Sequence, residues 1–153
     1  MVDVTTGNYW HLDVCLSTRA NLLLVGPDDI TGALLKAVRL HLQEPVAILR
    51  GGEPFALPPG PVETLILVNV GALTLAEQSQ LHESLNGRLR RAQVISTSAT
   101  SLMPMLVAKS FLEGLYYRLN TIYLDVMASP SDSPFTASTS ARLSAMPGSV
   151  TLN

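Results

Sequence analysis

Short apolar runs, each followed by a helical pattern, limit what this chain can fold into more than any other feature. Residues 22–25 and 65–68 are apolar at every position, which is typical of strands buried on both faces of a sheet. Apolar residues then recur at helical spacing over residues 30–42 and 75–85. This alternation favours a parallel sheet with helices on both faces, so the sequence predicts an α/β three-layer sandwich.

Three further strands are predicted from shorter patterns of the same kind. They are expected at residues 45–49, 94–97 and 122–126. Residues 102–119 are predicted to be mostly helical, with a break near Pro104 because proline removes a helical hydrogen bond. Residues 50–63 contain two adjacent glycines and four prolines, which predict an exposed irregular loop.

The predicted domain layout has three parts. Residues 21–127 form the α/β domain, and residues 1–20 precede it as an N-terminal segment. Residues 128–153 consist mainly of Ser, Thr, Ala and Pro, so we expect a disordered tail there. The residues of the N-terminal segment that are expected to cover one edge of the sheet are Tyr9, Trp10 and Leu12.

Charge and cysteine content exclude several classes of function. The formal net charge is -2, so no positive field exists to hold phosphates, and we expect no direct nucleic-acid binding. Cys15 is the only cysteine, which excludes an internal disulfide and a multi-cysteine zinc site and favours a cytoplasmic protein. The three histidines are far apart in sequence, and no metal site is predicted from them.

Hydropathy points to a protein that contacts other proteins and not membranes. No apolar run approaches the roughly 18 residues needed to span a bilayer, and the opening residues lack the pattern of a signal peptide. Hydrophobic residues make up 47% of the chain and charged residues only 14%, against an ordinary charged share of about 25%. A surface with so few charges favours an interface with another protein.

Three segments of the chain carry motif-like patterns in a fixed order. The first is residues 21–41, the second residues 63–81, and the third residues 94–102 followed by residues 111–120. They resemble, in the same order, three motif regions of the AAA+ ATPase domain of sigma-54-dependent transcriptional activators (bacterial enhancer-binding proteins). Those regions are the strand and GExGTGKE phosphate loop, then GTLFLDEIGEL, then VIAATNRDL with FREDLYYRLN.

The string FLEGLYYRLN at residues 111–120 carries the resemblance furthest. It keeps eight of the ten letters of the family motif, with Glu113 counted at its variable position. The other retained positions are Phe111, Leu115, Tyr116, Tyr117, Arg118, Leu119 and Asn120. The helical spacing of the apolar ones predicts core packing. The resemblance implies a P-loop NTPase-like sheet, the α/β subdomain of an AAA+ domain, without the lid subdomain that follows in the family.

The first catalytic motif of the family is degenerate in this chain. The phosphate-binding lysine falls on Gly32 or Ala33, and Asp28 and Asp29 place negative charge where an anion would bind. Lys36 lies further along the predicted helix and is interpreted as a surface lysine. What remains of the phosphate loop is Gly26, Thr31 and Gly32.

The other catalytic positions are also uncharged. Val68 and Asn69 stand where the resemblance implies an Asp for the metal and a Glu for the attacking water. The sensor asparagine falls on Ala99, and the first of two arginines falls on Leu112, so only Arg118 matches. The resemblance therefore implies a pseudo-ATPase with no catalytic residue and no metal, and with at most weak ATP or ADP binding.

Three functions follow from this sequence. The leading prediction is a non-catalytic protein-interaction or transcription-regulatory module whose partner is an AAA+ homologue or a second copy. The second is a receiver-like signalling domain. The third is nucleotide binding without hydrolysis, through backbone N–H groups between Gly26 and Gly32. The residues that imitate a receiver site are Asp28, Asp29, Ser96, Thr97 and Lys109.

Overall fold

The computed structural model describes residues 10–126, with side chains from Leu12 onward. Tyr9, the side chain of Trp10 and the predicted tail at residues 128–153 lie outside the described residues. The strands are β1 (Leu22–Val25), β2 (Val46–Arg50), β3 (Thr64–Val68), β4 (Gln93–Ser98) and β5 (Ile122–Asp125). The helices are α1 (Trp10–Thr18), α2 (Asp28–Arg39), α3 (Leu75–Asn86), α4 (Met103–Val107) and α5 (Glu113–Leu119), and Val70–Ala72 forms a 3-10 turn.

The five strands form one parallel sheet in the order β2-β3-β4-β1-β5. Val25 at the end of β1 lies opposite Ser98 of β4 and Asp125 of β5. The carboxyl ends of these three strands therefore meet at one edge of the sheet, here called the carboxyl edge. The opposite edge, where the strands begin, is called the amino edge.

Helices cover both faces of the sheet, as the apolar runs predict. Leu23 of β1 packs in one buried cluster with Leu81 of α3 and Leu115 of α5. Leu24, its neighbour in the strand, packs in the other with Leu34 of α2. Successive residues of a strand point to opposite faces, so a run that is apolar throughout supplies both cores. The predicted α/β three-layer sandwich is confirmed.

The prediction for residues 102–119 is partly wrong. Two short helices are present, α4 and α5, and the break between them lies at residues 108–112 and not near Pro104. Pro104 belongs to the first turn of α4, where its missing N–H would be unpaired in any case. The chain turns instead at Lys109, whose φ of 64° is in the left-handed region.

The strand order contradicts the receiver-like alternative. The flavodoxin-like order 2-1-3-4-5 of receiver domains places β1 between β2 and β3. Here β1 lies between β4 and β5, so the resemblance of Asp28, Thr97 and Lys109 to a receiver site is a coincidence of sequence order. In the described part of the chain, every helix is too short or too polar to cross a membrane.

Candidate functional site

The carboxyl edge gathers three of the motif positions. In open α/β sheets, ligands bind outside the carboxyl ends of the strands, where neighbouring connections leave in opposite directions. The backbone N–H of Gly26, after β1, donates a 2.9 Å hydrogen bond to the Ser98 carbonyl of β4. The backbone N–H of Asn69, after β3, donates to Oγ1 of Thr97 at 2.9 Å. The ends of β1, β3 and β4 are therefore held together where a nucleotide site would be.

The connection from β1 to α2 is too short to wrap a phosphate. It consists of Gly26 and Pro27 alone, and α2 begins at Asp28. Pro27 has no N–H, and the N–H of Gly26 is bound to β4. The N–H groups of Ile30 and Thr31 both donate to the Pro27 carbonyl at 3.0 Å. A phosphate loop needs several successive N–H groups that point inward, and this turn does not supply them.

The remaining parts of the loop remnant lie inside the helix. The side chain of Thr31 is buried, and its hydroxyl donates to the Pro27 carbonyl at 3.3 Å. Gly32 is exposed in α2, and a Cβ there would meet nothing within 4 Å, so no close approach requires glycine. These two residues behave as ordinary helix positions.

The charge at this end of α2 is negative. Asp28 and Asp29 occupy the first turn and are exposed, and they complement the positive end of the helix dipole. Lys36 is also exposed and lies about 12 Å further along the helix axis, at about 1.5 Å per residue. No lysine therefore stands where the resemblance places one, and two carboxylates do.

The end of β3 carries no acidic group. Val68 is half-buried and packs with the cluster beneath α2. Asn69 has a left-handed φ of 61°, a conformation that asparagine tolerates better than most residues. Its carbonyl oxygen approaches Gly51 of the neighbouring β2 end so closely that a Cβ there would lie 2.1 Å from it. The fold therefore requires glycine at position 51. In the sequence, the only indication of this requirement is the pair of adjacent glycines, Gly51 and Gly52.

The sensor position lies at the same edge without a polar side chain. Ala99 follows β4 and is exposed. The Ser98 hydroxyl donates to the Thr100 carbonyl at 2.5 Å, and Ser96 is fully buried with a hydroxyl that has no partner. Among the described side chains, neither serine has a hydrogen bond to a histidine that could activate it as a nucleophile.

A buried glutamine fixes the start of the retained string. Gln78 of α3 is 0% exposed. Its Nε2 donates to the carbonyls of Leu73 at 3.0 Å and Ser110 at 3.1 Å. Its Oε1 accepts a 2.8 Å hydrogen bond from the Leu112 N–H. The second and third motif segments are therefore joined through one side chain.

Arg118, the arginine that matches the family, binds the end of a helix. Its guanidinium donates to the Leu85 carbonyl, to Oδ1 of Asn86 at 2.9 Å and to the Arg90 carbonyl at 3.3 Å. The first two acceptors lie at the C-terminus of α3 and the third in the turn that follows it. This end of α3 faces the amino edge because α3 runs opposite to the strands. Arg118 therefore stabilises helix packing and does not reach the carboxyl edge.

The other retained positions divide into core and surface. The buried members are Phe111, Leu115, Tyr116 and Leu119, as their helical spacing predicts. Leu112 is half-buried against the same cluster. The N–H of Asn120 caps α5 by donating to the Tyr116 carbonyl at 3.0 Å. Tyr117 is 64% exposed and makes an edge-on contact with Tyr116, with ring centroids 5.5 Å apart.

The described residues contain neither a reactive cysteine nor a cluster of metal ligands. Cys15 is buried, and loss of hydration raises the pKa of its thiol to about 11, so the reactive thiolate is scarce. Gln93 donates to its Sγ at 3.1 Å. Over residues 10–126, no group of three or more His, Cys, Asp and Glu side chains is placed to hold a metal ion.

Comparison with known proteins finds solved structures that share the fold. No protein-family model and no curated protein matches the chain. Its structure is similar to NtrX from Brucella abortus in complex with ADP, with a TM-score of 0.62 and 15% identity, over 88% of this chain and 40% of the NtrX chain. It is also similar to the P-loop NTPase domain of the sigma-54 transport activator from E. coli, with a TM-score of 0.51 and 22% identity, over 78% of this chain and 96% of that domain.

The chain thus spans less than half of NtrX and nearly all of the E. coli domain. At these identities the likeness establishes the fold. The chain has the α/β fold of these structures, one of which is a P-loop NTPase domain, and this is the fold that the three motif segments imply.

Proposed function

We propose that this chain is a non-hydrolysing AAA+-like domain that acts by binding another protein, as an interaction or transcription-regulatory module. The observation that carries the proposal is the two-residue connection between β1 and α2, followed at once by Asp28 and Asp29. A triphosphate would meet carboxylates at this turn and few free N–H groups.

Hydrolysis of ATP depends on charges that this edge lacks. Phosphoryl transfer relies on a cation at the phosphates, a carboxylate for Mg²⁺ and a group that orients water. Val68, Asn69 and Ala99 supply none of these. Loss of one transition-state contact costs a factor of about 100 to 1000 in rate, so loss of several brings turnover to background.

The positions that the chain shares with the family support the fold. Gln78 and Arg118 join α3 to the segment that contains α5, and the buried members of the string fill the core. Tyr117 and Glu113 are the retained side chains that stay exposed. A fold that is kept without its chemistry favours a role in binding, and an AAA+ homologue or a second copy is the partner that this fold suggests by analogy.

A thermal shift titration with ATP or ADP and Mg²⁺ tests the loss of the nucleotide site. A ligand that binds the folded chain raises its stability by RT ln(1 + [L]/Kd), so we expect no shift at millimolar nucleotide. An intact P-loop NTPase domain of a sigma-54 activator is the positive control. A clear shift would favour the second candidate, nucleotide binding without hydrolysis at the N-terminus of α2.

The interaction role has its own readout. Size-exclusion chromatography of the chain, alone and mixed with an intact AAA+ activator domain, should show association in at least one case. A chain that stays monomeric and ignores such domains would contradict the interaction role. We place the module in the cytoplasm, where its lone buried thiol has no need of a disulfide partner.

A further inference from the structure

Three arginines project from the turn between α3 and β4. Arg88, Arg90 and Arg91 are all exposed, and they lie at the amino edge, next to Arg118. We propose that this arginine turn is a docking surface for Asp28 and Asp29 at the carboxyl edge of a second copy of the chain. The inference deepens the proposed interaction function and rests on it.

The backbone of the arginine turn is held in place. The Leu89 N–H donates to the Ser84 carbonyl at 2.8 Å, and the Ala92 N–H donates to the Leu89 carbonyl at 3.1 Å. Leu89 is 2% exposed and anchors the turn in the core. The arginines therefore stand on a rigid frame, so docking has to order only their side chains.

Two of the three exposed arginines, Arg88 and Arg91, make no contact that supports the fold within residues 10–126, whereas the guanidinium of Arg90 donates to the Gly87 carbonyl at 3.3 Å. A cation after a helix commonly compensates the negative end of the helix dipole. At α3 that role is already filled, because Arg118 binds the Leu85 carbonyl and the Gly87 N–H donates to the Ser84 carbonyl. Arg88 and Arg91 have no hydrogen-bond or ion-pair partner within residues 10–126. The repulsion between these like charges lowers the stability of the fold, so we expect the two arginines to contribute free energy to binding a partner.

The matching negative surface is on the same chain. Asp28 and Asp29 are exposed at the carboxyl edge, and their carboxylates have no ion-pair partner within residues 10–126. Arginine pairs with carboxylates through two parallel N–H···O bonds, which gives both strength and direction. The two charged surfaces lie at opposite edges of one sheet, so the contact between copies is head to tail. A net charge of -2 disfavours nucleic acid as the occupant.

Charge reversal on each surface tests the contact by sedimentation velocity on the full chain. We expect the wild type to self-associate, more weakly as salt is added. R88E/R91E and D28K/D29K should each raise the dissociation constant about tenfold or more. An equal mixture of these two variants should regain association, because each contact between unlike variants pairs an acidic surface with a basic one. The control variant K36E/K109E reverses the charge of two exposed lysines that belong to neither surface, and it should associate as the wild type does.

Circular dichroism establishes that the variants are folded, and the four-residue variant D28K/D29K/R88E/R91E should regain association because its reversed surfaces are again complementary. A monomeric wild type, or association that survives both reversals, overturns the docking surface. So does a random DNA duplex that binds the wild type and not R88E/R91E. ATP hydrolysis by the chain would instead overturn the proposed function and leave these association results unchanged.

Discussion

The side-chain Oε1 of Gln78 accepts a 2.8 Å hydrogen bond from the backbone N–H of Leu112. Leu112 is the position at which the resemblance places the first arginine of the third motif. The backbone is thus held in place at a position where this chain has a leucine and not the arginine that the resemblance implies. The end of β3 shows the same arrangement. The backbone N–H of Asn69 is held by Oγ1 of Thr97, but the Asn69 side chain carries no carboxylate.

Replacing Gln78 with alanine should destabilise the fold by about 2–4 kcal/mol, because one buried and two half-buried backbone groups lose their partner. Gln80 lies on the exposed face of the same helix, so Gln80→Ala should change stability by less than about 0.5 kcal/mol. Urea unfolding measures both. Equal stabilities for the two variants would contradict the bracing role of Gln78.

Gly51→Ala should lower the free energy of unfolding by about 3 kcal/mol or more. The new Cβ would lie 2.1 Å from the Asn69 carbonyl oxygen, so the backbone would have to move. Gly60→Ala is the matched control in the same loop, since a Cβ there meets nothing within 4 Å. Thermal unfolding of the two variants gives the comparison. A Gly51 variant as stable as the Gly60 variant would show that the two strand ends are further apart.

The strands could be predicted from sequence because runs that are apolar at every position have few other uses. The predicted helix break near Pro104 is wrong because a proline in the first turn of a helix removes no helical hydrogen bond. The actual break depends on the hydrogen bond from the Leu112 N–H to Gln78. The hydrogen bonds of Arg118 could not be predicted from the sequence, since their acceptors at Leu85 and Asn86 are more than thirty residues away along the chain. The motif resemblance located these residues but gave no reason for their retention.

Restoring the carboxylates of the second motif should not restore hydrolysis. The variant Val68→Asp/Asn69→Glu supplies a metal ligand and a base, but the β1–α2 turn still lacks the N–H groups and the lysine that hold the phosphates. Phosphate release with ATP and Mg²⁺ should stay at the level of a no-protein blank. Turnover in this variant would mean that the short turn is not what prevents catalysis.

Alkaline pH should weaken the fold through Cys15. Its pKa is raised from 9.0 to about 11 in the folded chain, so the unfolded thiol loses its proton first. The thiol's contribution to stability is complete below pH 9 and is lost as pH rises toward 11.

Burial also raises the pKa of Tyr123, to about 12, so the effect of Cys15 has to be isolated by difference. The free energy of unfolding of the wild type minus that of Cys15→Ala should fall between pH 8 and pH 11. A difference that is independent of pH over this range would show that the thiol is not shielded from water.

ATP turnover by the purified chain tests the central claim most directly. With millimolar ATP and Mg²⁺, phosphate release should equal the background, while an intact AAA+ activator domain under the same conditions turns over. The contrary result is release well above background that disappears when Asp28 and Asp29 are both replaced by alanine. That outcome would mean that the carboxylates at the start of α2 serve catalysis and do not exclude the nucleotide.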